Sequence, residues 1–226
     1  MKSIIVFAAH PDDEVLGCGG TIAKLIDKGC FVHIAFLADG VFSRNGDALM
    51  RDEELIIRRT AAQKACSILG VKSISFDNFP DNSMDSLPLL EITKVLERLI
   101  DKYQPDTVFT HHGGDVNIDH RILYNAAVTA CRPHASNPVK SFFSFEIPSS
   151  TEWQLPRGDL AFMPNWFEDI SPFLEVKIAA LEAYAEEIRV WPHPRSIDGV
   201  KYLAHWRGCT VGVDAAEAFI LGRKVV

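Results

Sequence analysis

The sequence predicts an α/β fold in which a mainly parallel sheet is covered by helices on both faces. Three observations lead there. The first two-thirds of the chain alternates short apolar runs with helix-period patterns, which is how βαβ units read. The first run, residues 3–9 (SIIVFAA), is apolar throughout after its serine, as a strand buried on both faces requires. Hydrophobic residues make up 47% of the 226, enough to fill a core and too many for a disordered chain.

After that first strand, apolar residues at Ile22, Ala23, Leu25 and Ile26 form a helical stripe over 19–28 that stops before Gly29. Residues 31–37 are the next strand. A long helix over 51–69 ends at Gly70, and 73–76 is a short strand. Pro88 opens a helix over 88–103. Residues 107–110 read as a strand, 119–131 as a helix with Asp119 at its N-cap, and 141–146 (SFFSFE) as a further strand. Right-handed crossovers between such strands put helices on both faces of the sheet, a Rossmann-like three-layer sandwich. Beyond about Pro148 the pattern loosens, and Trp153, Trp166, Trp191 and Trp206 all fall there. A helix over 171–188 carries the stripe Phe173, Leu174, Ile178, Leu181 and Tyr184. No linker precedes this tail, so 149–226 reads as a cap on a single domain spanning 1–226.

A formal charge of -7 disfavours a nucleic-acid partner, because phosphate binding wants a basic surface. No apolar run reaches the ~18 residues of a membrane span. The N-terminal run continues into acidic residues with no small-residue cleavage site, so no signal peptide is read. Cys18, Cys30, Cys66, Cys131 and Cys209 are odd in number and widely spaced, with no CxxC. They point to a reduced, cytoplasmic protein.

Two clusters stand out. His10–Glu14, in FAAHPDDEVLGCGG, follows the first strand; THHGGDVNIDHR, 110–121, follows the 107–110 strand. In a parallel sheet, ligands bind beyond the carboxyl ends of strands, so both clusters fall where a site belongs. Asp12, Asp13 and Glu14 could cap the next helix, but capping calls for neither a histidine nor two adjacent carboxylates. Gly17, Gly19 and Gly20 do not match a dinucleotide loop, since an acidic triplet intervenes and the spacing differs. A metal is the third reading: His gives nitrogen and Asp gives oxygen, both suited to zinc, and a further ligand must then come from elsewhere in the chain.

AHPDDE after the first strand, paired with D-x-N-x-D-H-R at the start of a later helix, resembles the zinc-dependent N-deacetylases of the PIG-L (LmbE-like) family. The similarity extends to ACRP at 130–133, SFE with SSTEW within 144–153, and WPHPRS at 191–196. The resemblance implies one Zn2+ per chain held by His10, Asp13 and His120, with iron(II) or another divalent metal as the alternative. It implies Asp12 as general base and Glu14 as a supporting residue or helix cap. Many relatives carry a histidine shortly before the Asp-His pair; here Asn117 stands three before His120, able to donate a hydrogen bond to an oxyanion but not to shuttle a proton. The implied partner is a small N-acetylated amino sugar, and a homo-oligomer is compatible with the sequence.

An open coordination position for water and an adjacent base make a hydrolytic site. Polyol substrates are bound by Asp, Asn and Arg, which makes Arg59, Asp81, Asn82, His193 and Arg195 the candidates for substrate contact. Asp81 and Asn82 follow a strand in a PDN turn, and two prolines fix the backbone around His193. The competing functions are an amidohydrolase on a non-sugar N-acyl substrate, a non-catalytic metal- or sugar-binding relative, which intact Asp12 argues against, and a metal-dependent phosphoesterase, which would want a second carboxylate cage.

Overall fold

The computed structural model describes residues 2–40, 48–155, 158 and 160–226. Among these, seven strands form one sheet. β1 (Ser3–Ala8), β2 (Phe31–Ala38), β3 (Ser73–Phe79), β4 (Thr107–His111) and β5 (Ser141–Phe145) are joined by α1 (Asp13–Asp27), α2 (Ala48–Ile68), α3 (Leu89–Tyr103) and α4 (Ile118–Ala130). The tail supplies β6 (Trp166–Asp169), α5 (Leu174–Glu182), α6 (Ile197–Cys209) and β7 (Ala216–Lys224). The sheet order is β3-β2-β1-β4-β5-β7-β6. β1 to β5 pair in parallel, while β7 runs antiparallel between β5 and β6.

The strands' two-residue period divides the core. Ile4, Val6 and Ala8 pack with α1, α2, α5 and α6 on one face. Ile5, Phe7 and Ala9 pack with α3 and α4 on the other. This is the mostly parallel three-layer α/β fold that the alternating apolar runs predict.

The tail is more than a cap. β6 and β7 extend the sheet edge, and only α5 and α6 cover a face. Their strands escaped the sequence pattern because neither alternates cleanly: β7 passes from AEAF to the mixed ILGRK. The helix expected over 171–188 is a 3-10 turn, Ser171–Phe173, followed by α5, which ends at Glu182. α1 starts earlier than its apolar stripe. It is two helical pieces merged across Cys18 (φ -152°, ψ 23°), and the acidic, glycine-rich stretch forms the first piece. The glycines serve packing: a Cβ on Gly17 would meet the Phe145 ring at 2.4 Å, and one on Gly20 would meet Ile170 at 2.8 Å.

β1 lies between β2 and β4. Connections leave it in opposite directions there, which makes the crevice beyond β1 and β4 the topological switch point of the sheet. Both His/Asp clusters open onto that crevice.

Candidate active site

The chain leaves β1 at Ala8 and turns through His10–Asp12 into α1. Asp12 holds φ at 118°, outside the region L-residues prefer, and such strain persists only where surroundings enforce it. Glu14 Oε2 accepts the Asp12 N–H at 3.1 Å, and Glu14 Oε1 accepts the Tyr184 hydroxyl at 2.5 Å. Asp12 makes no side-chain capping bond to α1. Glu14 is therefore a brace under Asp12, and burial pushes its carboxyl up to about 8.

Asp13 is fully buried. Its Oδ2 accepts the His10 N–H at 2.8 Å and lies 3.4 Å from both His10 Nδ1 and His120 Nε2. The opposite nitrogen of each imidazole faces a different carboxylate. His10 Nε2 is 3.0 Å from Asp119 Oδ2 and from Asp81 Oδ1; His120 Nδ1 is 3.2 Å from Asp115 Oδ2. Those carboxylates are themselves anchored. Asp119 accepts the N–H groups of Asn82 (2.7 Å) and Met84 (3.0 Å). Asp115 accepts the Ser150 hydroxyl, the Thr151 hydroxyl at 2.7 Å and the Asn117 N–H at 2.8 Å. A carboxylate behind a ligating imidazole fixes its tautomer and aim.

His111 packs behind this group. Its Nε2 accepts the Ala9 N–H at 2.9 Å, and its ring stacks on His120 at 3.9 Å. Burial and then the charge of His120 hold it well below the usual histidine range, so it acts as a neutral spacer. Burial also pulls His120 down, but Asp13 and Asp115 outweigh it and bring it up to about 9. For His10 burial is likewise overcome, here by Asp119, Asp13 and Asp81. Burial would raise Asp13; the charge of the neighbouring His120 and the hydrogen bond with His10 hold it well below the carboxylate range. The pocket is therefore built to hold positive charge.

A divalent metal fits it. His10, Asp13 and His120 bring one donor atom each within 4.8 Å of the others. Among the described residues, Asp13 Oδ1 and both ring nitrogens of His120 are buried without a hydrogen-bond partner, a cost that a cation bound at Asp13 and Nε2 would reduce. Two imidazole nitrogens and one carboxylate are zinc-type donors.

A cleft of about 160 Å³ opens beside these residues, lined by His10, Asp12, Arg58, Asp81, Asn82, Asn117, Glu187 and Arg195. Burial raises the Asp12 carboxyl to about 6 against the opposing charge of Arg195, whose Nη1 donates to Asp12 Oδ2 at 3.2 Å. Asn117, and not Asp119, is the N-cap of α4: its Oδ1 accepts from Asp119 N–H (2.8 Å) and His120 N–H (3.4 Å). Its Nδ2 donates to Asn82 Oδ1 at 3.3 Å across the cleft.

Asp81, Asn82 and Arg195 thus line the cleft. Arg59 and His193 do not. Arg59 donates to Asn78 Oδ1 at 2.5 Å and lies over the Phe76 ring. Adjacent helical residues point about 100° apart, so only one arginine of the pair can face the cleft. That one is Arg58, bound to Glu187 at 2.5 Å. His193 Nδ1 accepts the Arg195 N–H at 3.1 Å, and its ring meets Trp153 edge-on; it braces the turn that presents Arg195. The sequence does not mark Arg58, Tyr184 or Glu187 as site residues, and it offers Asp119 only as a helix cap and Asp115 only as part of a crowded loop. Asp115 and Asp119 sit inside the second cluster, where the density of carboxylates was a signal; Tyr184 and Glu187 lie far along the chain with none.

The family model described as PIG-L, GlcNAc-PI de-N-acetylase, matches residues 5–131, which span both clusters. The chain belongs to the PIG-L family. It is 31% identical over 189 residues to the uncharacterized deacetylase YaiS of Escherichia coli K12, covering 81% of this chain and 90% of that one. The N,N'-diacetylchitobiose deacetylase from Pyrococcus horikoshii superposes with a TM-score of 0.79 at 26% identity, covering 98% of this chain and 84% of that one. A 4-oxalmesaconate hydratase of Pseudomonas putida KT2440 is 28% identical over 215 residues, 85% of this chain and 76% of that one.

Proposed function

We propose that the protein is a zinc-dependent N-deacetylase that removes the acetyl group from an N-acetylated amino sugar. The observation that carries this reading is the pair of imidazoles, each with one nitrogen toward Asp13 and the other facing an anchored carboxylate, beside a buried Asp12 raised to about 6. Zinc held by His10, Asp13 and His120 would act as a Lewis acid and lower the pKa of water toward ~7. Asp12 accepts the proton of the attacking water; with a carboxyl near 6 it is ionised at neutral pH yet close enough to return the proton to the departing amine. Arg195 holds the Asp12 carboxylate in place and keeps it from rising further. Asn117 Nδ2, already directed into the cleft, donates to the oxygen on which negative charge develops; one such donor is worth roughly 3 kcal/mol. Asp81, Asn82 and Arg58 present the polar groups a sugar needs.

Hydration is the second reading, because one relative is a hydratase. Both cleft arginines are already engaged, Arg58 by Glu187 and Arg195 by Asp12, which favours a neutral polyol over a carboxylate-rich substrate. Arg195 reaching Asp12 also supports residues 1–226 working as a single catalytic unit. Cys18, Cys66, Cys131 and Cys209 form no disulfide among the described residues, in keeping with work in the reducing cytoplasm, and no helix of the described residues is long and apolar enough to cross a membrane. The test is a panel of N-acetylglucosamine derivatives, N-acetyl amino acids and unsaturated carboxylic acids offered to the zinc-loaded protein. Acetate release confined to the sugars is expected. Turnover of the amino acids alone would move the substrate to a non-sugar amide, and hydration without acetate would replace the reading.

A further inference from the structure

The break in α1 has an unusual closure. A continuous helix would bond Gly20 N–H to Leu16 O, four residues back. Here the two groups go elsewhere. Gly20 N–H donates to Glu217 Oε1 at 2.9 Å, and Thr21 N–H donates to Glu217 Oε2 at 2.7 Å. The freed Leu16 carbonyl accepts from Lys177 Nζ at 2.9 Å, and Lys177 Nζ reaches Glu217 Oε1 at 2.6 Å. Lys177 and Glu217 are 3% and 4% exposed. They come from α5 and β7, more than 150 residues along the chain. An anion therefore closes the N-terminus of the second helical piece and a cation closes the C-terminus of the first, each matching the local helix dipole.

The first piece is the turn that carries Asp13, directly after Asp12. A broken helix can pivot at the break, here about the φ and ψ of Cys18, and a buried ion pair bonded to both sides restrains that pivot. We propose that Lys177 and Glu217 are positioning residues for the metal-binding turn: they set the angle of the Asp13–Gly17 segment against His120, and so set the affinity and geometry of the metal site. This rests on the metal-dependent reading above. It also gives the tail a task beyond extending the sheet.

The test compares wild type with Lys177→Met, Glu217→Gln, the double variant, and Leu96→Ala, a core truncation under the opposite face of the sheet. Three quantities are read on each: zinc affinity by chelator competition, the d–d absorption of the Co2+-substituted protein, and the melting temperature of the metal-free form. The single variants should weaken zinc binding by ~10–100-fold, as loss of groups that orient ligands does, and should alter the Co2+ spectrum. The double variant leaves no unpaired buried charge and so folds more readily than either single, yet should still bind zinc weakly, because the groups at the break have lost their charged partners. Leu96→Ala should lose melting temperature while keeping wild-type affinity and spectrum. Wild-type zinc affinity and Co2+ absorption in the double variant would overturn the inference. So would Leu96→Ala losing as much affinity for the same loss of melting temperature. A wild-type protein that takes up no divalent metal would overturn the functional reading itself, and the inference with it.

Discussion

His33 and His120 are both buried imidazoles, one in a strand and one in a helix, and their surroundings make them opposites. His33 sits near the start of β2. Its nitrogens meet the hydroxyls of Ser73 (2.9 Å) and Ser75 (3.0 Å), and its ring stacks on Tyr103 at 3.8 Å. Burial, then the charge of Lys102, pushes it down to about 4. His120 opens α4 at the other end of the sheet, where Asp13 and Asp115 outweigh burial and raise it to about 9. Neither of its nitrogens has a hydrogen-bond partner among the described residues, though each faces a carboxylate, Asp13 at 3.4 Å and Asp115 at 3.2 Å. Burial alone makes a histidine an inert core residue. Carboxylates facing both of its nitrogens make His120 a candidate metal ligand.

The comparison breaks most sharply by exchanging fates. His120→Ala should lose its zinc and its turnover together, whereas His33→Gln should keep both; metal analysis and rate on the same preparations check this. Asp12→Asn keeps the shape of the site but cannot take a proton. It should retain zinc and lose ~10²–10⁴-fold in kcat.

Asn117 separates geometry from chemistry. Serine caps a helix about as well as asparagine but has no amide to offer the cleft. Asn117→Ser should therefore lower kcat ~10²-fold with zinc content and melting temperature near wild type. A loss of zinc in that variant would reduce Asn117 to a helix cap.

Asp115→Asn removes the carboxylate behind His120 and should weaken zinc binding ~10–100-fold, read by chelator competition. The smallest effect belongs to His33. Its pKa is lower folded than unfolded, so between about 6.5 and about 4 the unfolded chain binds the proton and the folded chain does not. Stability should fall as pH drops through that window. His33→Gln should flatten this part of the pH–melting profile.

The sequence shows the site more clearly than it shows the site's support. β1 is a continuous apolar run after its serine, β2, β4 and β5 have apolar centres, and His10, Asp13 and His120 follow two of these strands, so position and chemistry could be read together. The order β3-β2-β1-β4-β5 then brings those ends to one crevice. What could not be read is long-range. Tyr184 under Glu14, Glu187 on Arg58, and Lys177 with Glu217 at the break in α1 depend on where the tail folds back, and β7 gave no periodic signal. The sequence points to Arg59 and not to Arg58 because a helix face one residue out of register is invisible when the apolar stripe is weak. The cap of α4 is ambiguous for a related reason: both Asp119 and Asn117 suit an N-cap, and only the backbone decides for Asn117.

The most direct test of the central claim is the stoichiometry of deacetylation under metal control. Zinc-loaded protein is incubated with N-acetylglucosamine-type sugars, and free acetate and free amine are counted together before chelation, after chelation and after zinc is restored. The account predicts one acetate per amine formed, lost on chelation, regained with zinc, and suppressed ~10²–10⁴-fold in Asp12→Asn. Acetate release that survives complete removal of the metal, or none from any sugar with zinc fully bound, would contradict it.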